Sequence, residues 1–365
     1  MAFPVPADYA IIFSQTGAIA GAEVSAPDGK TQKDEETRMK SALQSILDAR
    51  DIMVIDGSMS TALENMGLDL NHRLWTARAL AENPEKVKQV HINYFRAGAD
   101  CGITCSYQAS IPGLMSCGYS EAEAEDLIRR SVELFLEARD EWWESEGRAA
   151  GRVWPLCLAG MGPYGAYLAD GSEYTGAYDV SDDELVEFHS RRARLLLEAG
   201  ADILLFETQP SLHEVLLEAR IAEEMGADYW VSFSCRDGKH NGRGEEVADC
   251  AAALSKDHPH LKMIGVNCTK PEYIESLIHC FRSATELPIA VYPNSGETYD
   301  AVTKTWTSAG GDLDFGTYAL RYMAAGASAV GGCCTTTEKH VRQVVEAREK
   351  FLAMNRPVQV PRKEA

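Results

Sequence analysis

One four-residue corner recurs along the 365-residue chain and limits the folds that are open to it. Its four copies are Ala97-Gly98-Ala99-Asp100, Ala199-Gly200-Ala201-Asp202, Met225-Gly226-Ala227-Asp228 and Ala325-Gly326-Ala327-Ser328. Each copy follows a stretch with helical periodicity and precedes an apolar run. Because glycine directly after a helix supplies the left-handed residue that ends it, the repeat indicates one type of helix-to-strand connection used several times.

Eight apolar runs predict eight strands. They are IMVID (52–56), CGITC (101–105), VWPLCLAG (153–160), ILLFE (203–207), YWVSFS (229–234), MIGVN (263–267), PIAVY (288–292) and SAVGG (328–332). Most are continuously apolar, as in strands buried on both faces, and helices are predicted between them and over 337–353. Eight such units in about 300 residues predict a TIM (β/α)8 barrel. A doubly wound sheet is the alternative, but DGSMSTALE (56–64) lacks the G-x-G-x-x-G turn that would favour it.

Three segments are predicted along the chain. Residues 1–48 form an N-terminal extension, in part disordered, because residues 25–38 are polar and lack apolar periodicity. Residues 49–355 form the barrel, and residues 356–365 form a tail.

The composition and charge of the chain limit the kinds of molecule that it can be expected to bind. A formal charge of -20 argues against nucleic acid, which requires clustered Lys and Arg, and suits small cationic substrates. No apolar stretch is long enough to span a membrane, and no basic region precedes a signal-like run at the N-terminus. Ten cysteines in such a chain indicate reduced thiols in the cytoplasm, most of them small core residues and some of them ligands or catalytic groups. The oligomeric state, monomer or dimer, stays open.

Three cysteines lie at the ends of two predicted strands, where a barrel builds its active site. Cys268 ends the sixth strand, and Cys333 and Cys334 end the eighth. Alternate strands send side chains into one layer, so three thiolates could meet there and hold Zn²⁺ with a fourth position left for a substrate. A vicinal disulfide, buried spacers and a nucleophilic cysteine are the alternatives.

Two carboxylates end apolar strands. Asp56 precedes Gly57, whose missing side chain permits a tight turn, and Glu207 ends ILLFE, where a carboxylate is costly unless it is paired. Both suit the ammonium group of an amino acid. Alternatively, either one caps the helix that follows.

Seven segments in this order carry a family resemblance: DGSMSTALE, ITCSYQASIPG, GPYGAYLADGSEYTG, FETQPS, GVNCTKPEYI, VYPNSGETYD and GGCCTTTEKHV. From about residue 50 to residue 350 the chain resembles the homocysteine S-methyltransferases, especially the S-methylmethionine-using enzymes of plants, fungi and bacteria. The resemblance implies a TIM barrel, one zinc ion bound by Cys268, Cys333 and Cys334, and homocysteine as the methyl acceptor. Asp56-Gly57-Ser58 departs from the Asp-Gly-Gly that is common in the family, and residues 1–50 have no counterpart in the family core.

The expected reaction is zinc-dependent transfer of a methyl group from a sulfonium donor, S-methylmethionine or S-adenosylmethionine, to the thiol of homocysteine, giving methionine. The predicted substrate-binding residues are Asp56, Gly57, Thr104, Glu207, Asn267, Tyr164 and Tyr292. The two tyrosines, together with Tyr167 and Trp306, are aromatic candidates for contact with the sulfonium.

Two other functions stay open. One is a selenocysteine or betaine-type methyltransferase of the same family, which would share the zinc thiolates. The other is a non-catalytic zinc-thiolate sensor, in which Cys105 or Cys235 would close the metal site as a fourth ligand.

Overall fold

The computed structural model describes residues 43–296 and 314–355, together with the backbone of two short antiparallel strands, Thr298–Asp300 and Thr305–Thr307. The predicted tail and the predicted extension before residue 43 lie outside the described residues.

Eight parallel strands form a nearly closed barrel. They are β1 (Met53–Val54), β2 (Cys101–Ile103), β3 (Leu156–Met161), β4 (Ile203–Gln209), β5 (Tyr229–Phe233), β6 (Leu261–Asn267), β7 (Ile289–Tyr292) and β8 (Ala329–Val330). Each of β2 to β7 pairs with the next barrel strand along the chain, and β8 pairs with β1, with Met53 opposite Ala329. This sequential order lacks the reversal of a doubly wound sheet, so the predicted TIM barrel is confirmed.

Helices cover the outside of the barrel. They are α1 (43–50), α2 (Met59–Asn65), α3 (Ala77–Glu82), α4 (Pro84–Ala97), α5 (Ile111–Ser116), α6 (Glu121–Trp142), α7 (Tyr164–Leu168), α8 (Asp182–Glu198), α9 (Leu212–Met225), α10 (Val247–Leu254), α11 (Pro271–Arg282), α12 (Phe315–Ala325) and α13 (Glu338–Asn355). None of the helices in the described part of the chain is long and apolar enough to cross a bilayer. Each strand is followed by at least one helix, as the periodicity predicted.

The recurring corners end helices as predicted. Gly98 follows α4 with φ at 119°, and a Cβ at this position would lie 2.5 Å from Val345 Cγ2, so conformation and space both require glycine. The aspartate of a corner has a further role. Asp100 accepts a hydrogen bond from the Val54 amide at 2.9 Å, which ties the start of the second unit to β1.

The two ends of the sheet, β1 and β2, are joined by carboxylates rather than by a regular ladder. The Asp100 amide donates to the Val54 carbonyl oxygen at 2.8 Å, and the Ile103 amide donates to Asp56 Oδ2 at 3.0 Å. Arg348 on α13 donates to Asp100 Oδ2 at 2.5 Å and so balances its buried charge. The side chain of Asp56 is therefore fixed by the closure of the barrel.

Apolar side chains fill the barrel interior. They include Met53, Ile55, Cys101, Leu156, Leu158, Ile203, Leu205, Trp230, Met263, Ala290, Tyr292 and Ala329. Ile46 of α1 belongs to the same buried cluster, so this helix packs against the barrel core. Helix α1 spans residue 48, at which the predicted extension ends.

Candidate metal centre and active site

Three thiols meet at the carboxyl end of the barrel. Cys268 follows β6, and Cys333 and Cys334 lie just after β8. Their sulfur atoms all lie within 4.8 Å of one another, and Cys268 Sγ is 3.4 Å from Cys334 Sγ. Tetrahedral zinc with bonds of about 2.3 Å places its sulfur ligands roughly 3.8 Å apart. The spacing therefore fits one metal ion.

Backbone geometry fixes these thiols. Cys268 has φ at 47°, in the left-handed region that non-glycine residues rarely adopt. The Cys268 amide donates to the Tyr292 carbonyl oxygen at 3.2 Å, and the Cys333 amide donates to the Pro293 carbonyl oxygen at 2.8 Å. Thr208 and Thr335 are also left-handed, with φ at 60° and 65°. Such conformations persist only where the surroundings hold them, and they concentrate at functional sites.

The thiol cluster favours negative charge on one sulfur. Hydrogen bonds from Cys333 and Cys334 lower the pKa of Cys268 well below its ordinary value despite burial, and the Tyr174 hydroxyl, 3.4 Å from the sulfur, adds to the effect. The hydrogen bonds that Cys333 and Cys334 form with Cys268 raise the pKa values of both of these thiols. A cation at the centre would relieve the repulsion between three thiolates, which matches a metal site.

Two buried carboxylates lie beside the thiols. Glu207 is 6% exposed and Asp56 is 2% exposed. Burial raises the pKa of each well above its ordinary value, and the nearby Cys333 raises both further. Each carboxylate faces a glycine on the adjacent strand, because a Cβ at Gly160 would lie 2.6 Å from Glu207 Oε1 and one at Gly102 would lie 2.9 Å from Asp56 Oδ2. Two desolvated acids of this kind suit a cationic group between them.

Two adjoining cavities reach the thiols. The smaller cavity, of about 80 Å³, is called the inner cavity because Ile103 of β2 and Tyr292 of β7 line it. Its other lining residues include Gly57, Ser58, Met59, Thr104 and Gly332. The outer cavity, of about 220 Å³, is lined by residues that include Glu64, Asp69, Asn71, His72, Arg73, Gln108, Glu173, Tyr174 and Cys268. Both contain Ser60, Trp75, Tyr107, Glu207, Cys333 and Cys334. Two small molecules, one in each cavity, would meet at the thiols.

Most of the predicted substrate-binding residues lie at the inner cavity. Gly57, Thr104, Glu207 and Tyr292 line it. The Thr104 hydroxyl is 2.6 Å from Ser106 Oγ and accepts from the Gly160 amide, so this side chain also ties β2 to β3.

Asn267 lies behind the thiols. Its Oδ1 accepts from the Thr208 amide at 2.8 Å, and its Nδ2 donates to Thr208 Oγ1 at 2.8 Å and to Cys333 Sγ at 3.7 Å. Asn267 is fully buried and lines neither cavity. The structure thus places it where it orients a thiol and a left-handed turn.

Tyr164 lies away from both cavities. Its hydroxyl donates to Glu184 Oε1 at 2.9 Å, and its ring packs against Tyr167 and Phe188. The side chain of Trp306 lies outside the described residues.

Three aromatic residues that sequence reasoning missed line the outer cavity: Trp75, Tyr107 and Tyr174. Tyr107 lies in ITCSYQASIPG and Tyr174 in GPYGAYLADGSEYTG, two of the segments that carry the family resemblance. Their membership of these segments is the sequence signal that could have identified them. Trp75 precedes α3 in a loop without any motif.

A second polar cluster lies between α8 and α9. His189 Nε2 is 2.8 Å from Glu214 Oε1, and His189 Nδ1 is 3.2 Å from Glu218 Oε1. Arg192 Nη2 is 3.2 Å from His189 Nδ1 and donates to the Gly162 carbonyl oxygen at 2.7 Å. Hydrogen bonds and a guanidinium thus contact the atoms that would bind a metal, and burial lowers the pKa of His189. The cluster is a buried hydrogen-bonded network.

Glu214 of this network anchors the loop that follows β3. The Tyr164 amide donates to its Oε1 at 2.7 Å, and the Tyr178 hydroxyl donates to its Oε2. Burial alone would raise the pKa of Glu214, but the hydrogen bonds from His189, Tyr178 and the Tyr164 amide hold it below its ordinary value.

Comparisons with known proteins agree with this geometry. Residues 53–348 match the family described as homocysteine S-methyltransferase. The chain is 48% identical to homocysteine S-methyltransferase YbgG of Bacillus subtilis, over 83% of this chain and 96% of that protein, and 46% identical to homocysteine S-methyltransferase 1 of Zea mays, over 80% and 92%. The metallated form of the homocysteine methyltransferase MmuM from Escherichia coli superposes with a TM-score of 0.74 at 38% identity, covering 83% of this chain and 98% of MmuM. The chain therefore belongs to the homocysteine S-methyltransferase family and is an enzyme of this type.

Proposed function

We propose that this homocysteine methyltransferase uses a zinc ion bound by Cys268, Cys333 and Cys334 and takes its methyl group from a sulfonium donor, S-methylmethionine before S-adenosylmethionine. The observation that carries the proposal is the position of three thiols, within 4.8 Å of one another, where two cavities adjoin. The relative from Escherichia coli has a metallated crystal form, which supports a metal at this family's site.

The ligand set fits zinc with one position open. Thiolates are soft ligands, and three protein ligands with an open fourth position are typical of catalytic zinc. Within the described residues, neither Cys105 nor Cys235 joins the thiol group. Cys105 instead donates to the Thr76 carbonyl oxygen at 3.3 Å, and burial raises its pKa to about 12. Zinc, when bound, would deprotonate a coordinating thiol and so provide a nucleophile at neutral pH.

In the proposed complex the inner cavity holds homocysteine. Glu207 binds its ammonium group from the cavity wall, and the charge of Asp56, which lines neither cavity but acts on Glu207, adds to the attraction. The ammonium charge offsets the cost of burying two carboxylates. The Gly57 backbone and Thr104 line the same cavity and limit its size. These residues orient the acceptor with its sulfur toward Cys333 and Cys334.

The outer cavity holds the methyl donor. The faces of Trp75, Tyr107 and Tyr174 attract a sulfonium cation, and the carboxylates of Glu64 and Glu173 add to that attraction. The methyl group passes in line from the donor sulfur to the acceptor sulfur. The electron pair of the broken S–CH₃ bond stays on the donor sulfur, and the proton of the acceptor thiol leaves when the thiolate forms. Holding both reactants in adjoining cavities supplies the orientation that accelerates such a step.

A panel of donors tests the proposal. Purified zinc-loaded protein is incubated with homocysteine and with S-methylmethionine, S-adenosylmethionine or betaine, and methionine is measured by mass spectrometry. We expect the highest kcat/KM with S-methylmethionine. A preference for betaine would assign the chain to the betaine-type enzymes. In a parallel reaction with selenocysteine in place of homocysteine, faster methylation of selenocysteine would change the acceptor.

Cobalt substitution tests the open metal position. Homocysteine should shift the absorption bands of the cobalt-loaded protein, because its thiol enters the coordination sphere. An unchanged spectrum would favour the closed site of a zinc-thiolate sensor. The proposed ligands must stay reduced, so a reducing compartment such as the cytoplasm is part of the proposal.

A further inference from the structure

Among the described residues, the lining of the outer cavity has one guanidinium, that of Arg73, among acidic and neutral side chains. Its titratable lining, apart from His72, consists of the three thiols, two tyrosines, the carboxylates of Glu64, Asp69, Glu173 and Glu207, and Arg73. A sulfonium amino acid carries two positive charges and one negative charge. The carboxylates suit its sulfonium and ammonium groups, which leaves its carboxylate in need of a cation.

Arg73 is available to supply that cation. Its side chain is exposed, and its one interaction with the rest of the described chain is the position of its guanidinium over the Tyr167 ring, 5.5 Å from the centroid. Arg78, by contrast, is paired with Glu82 at 2.7 Å and lines neither cavity. Stacking on an aromatic ring restrains a guanidinium while leaving its N–H edge free to bind a carboxylate.

We propose that Arg73 binds the α-carboxylate of the methyl donor and so selects donors that carry one. This inference rests on the proposed function. Arg73 lines the outer cavity and is absent from the inner one, whereas Gly57 and Thr104, proposed to hold homocysteine, line only the inner one. The donor rather than the acceptor is therefore the molecule that Arg73 contacts. A paired, charge-assisted contact of this kind fits the planar guanidinium better than a lysine ammonium.

The test compares two donors on matched variants. S-methylmethionine is compared with (3-aminopropyl)dimethylsulfonium, which lacks the carboxylate, on the zinc-loaded wild type and on the variants Arg73→Ala, Arg73→Lys and Arg78→Ala. We expect Arg73→Ala to raise the KM for S-methylmethionine about tenfold, from the loss of a hydrogen bond to a charged group. The KM values for homocysteine and for the carboxylate-free donor should stay unchanged. Arg73→Lys should recover part of the loss, and Arg78→Ala should match the wild type.

Calorimetric titration of the donor in the absence of homocysteine measures the same contact without turnover, so a variant that has lost activity is still informative. Equal weakening of both donors by Arg73→Ala, or weakening of homocysteine instead, would overturn the assignment, as would an unchanged KM and affinity for S-methylmethionine. If the wild type uses S-adenosylmethionine, its decarboxylated form replaces the carboxylate-free donor. A wild type without homocysteine methylation under any donor would instead refute the proposed function.

Discussion

Replacing Glu207 by glutamine removes one negative charge from the inner cavity and preserves the shape of the side chain. Glu207 is 6% exposed at the end of β4, and the glycine opposite it, Gly160, leaves room for its carboxylate. An amide of equal size fits the same space. We therefore expect Glu207→Gln to fold and to bind zinc, but to bind homocysteine weakly.

The size of the loss follows from the surroundings of Glu207. Removing one partner of a buried, hydrogen-bonded charge pair costs about 2–5 kcal/mol. The charge of Asp56 is felt at Glu207, so the ammonium of homocysteine would keep one carboxylate and the loss should lie at the lower end, about 2–3 kcal/mol. At 1.4 kcal/mol per factor of ten, the KM for homocysteine should rise roughly 30- to 150-fold. The substitution leaves the three thiols proposed to activate the acceptor unchanged, so kcat should change far less.

The assay varies homocysteine at saturating donor and measures methionine. Glu184→Gln, at an exposed glutamate that lines neither cavity, is the matched control. The acceptor 4-mercaptobutyrate, which lacks the ammonium group, should bind the wild type and Glu207→Gln equally weakly. A KM for homocysteine within about threefold of the wild-type value, less than 1 kcal/mol, would refute the role assigned to Glu207.

Three further predictions concern the metal, the acceptor cavity and acid stability. Cys268→Ala should lose most of its zinc and nearly all methyl transfer, whereas Cys280→Ala, at a thiol outside the cluster, should keep both; an active, metal-free Cys268→Ala protein would contradict the ligand set. Gly160→Ala adds a Cβ 2.6 Å from Glu207 Oε1, so the carboxylate must shift and the homocysteine KM should rise about tenfold; an unchanged KM would contradict this reading. The pKa of Glu214 is lower in the folded protein than its unfolded value of 4.5, so its ionised form contributes stability above pH 4.5 and that contribution disappears as the pH falls through the folded pKa. Glu214→Gln should therefore lower the free energy of unfolding by roughly 3 kcal/mol near neutral pH and by less below pH 4.5, as measured by urea denaturation; a difference independent of pH would argue against the ionised network.

The cysteine cluster shows what the local sequence pattern can predict and what it cannot. The positions of Cys268, Cys333 and Cys334 at strand ends are visible in the sequence, because each follows a continuously apolar run. Their separation is not visible, since it depends on the closure of the barrel and on the left-handed backbone at Cys268. Spacing along the chain therefore left a disulfide, a nucleophile and a metal site all open.

Asp56 and Asn267 show a second limit. Both were predicted to contact substrate because they end buried strands. The structure uses the Asp56 carboxylate to join β1 to β2, and it uses the Asn267 amide to hold Thr208 and Cys333. A polar residue at a strand end can both stabilise the barrel and contribute to the active site. Only the hydrogen-bond partners of its side chain show which of these roles it has.

The barrel itself was determined by the sequence, because strand and helix periods are local and the four repeated corners mark the connections that precede β2, β4, β5 and β8. The tertiary structure decided which side chains enter the cavities. Tyr107 follows β2 in a loop and Tyr164 begins α7 after β3, yet Tyr107 lines the cavities while Tyr164 packs outside them. The physical reason is that loop direction is set by distant contacts, such as the hydrogen bond from Arg192 to the Gly162 carbonyl oxygen, which no period along the chain encodes.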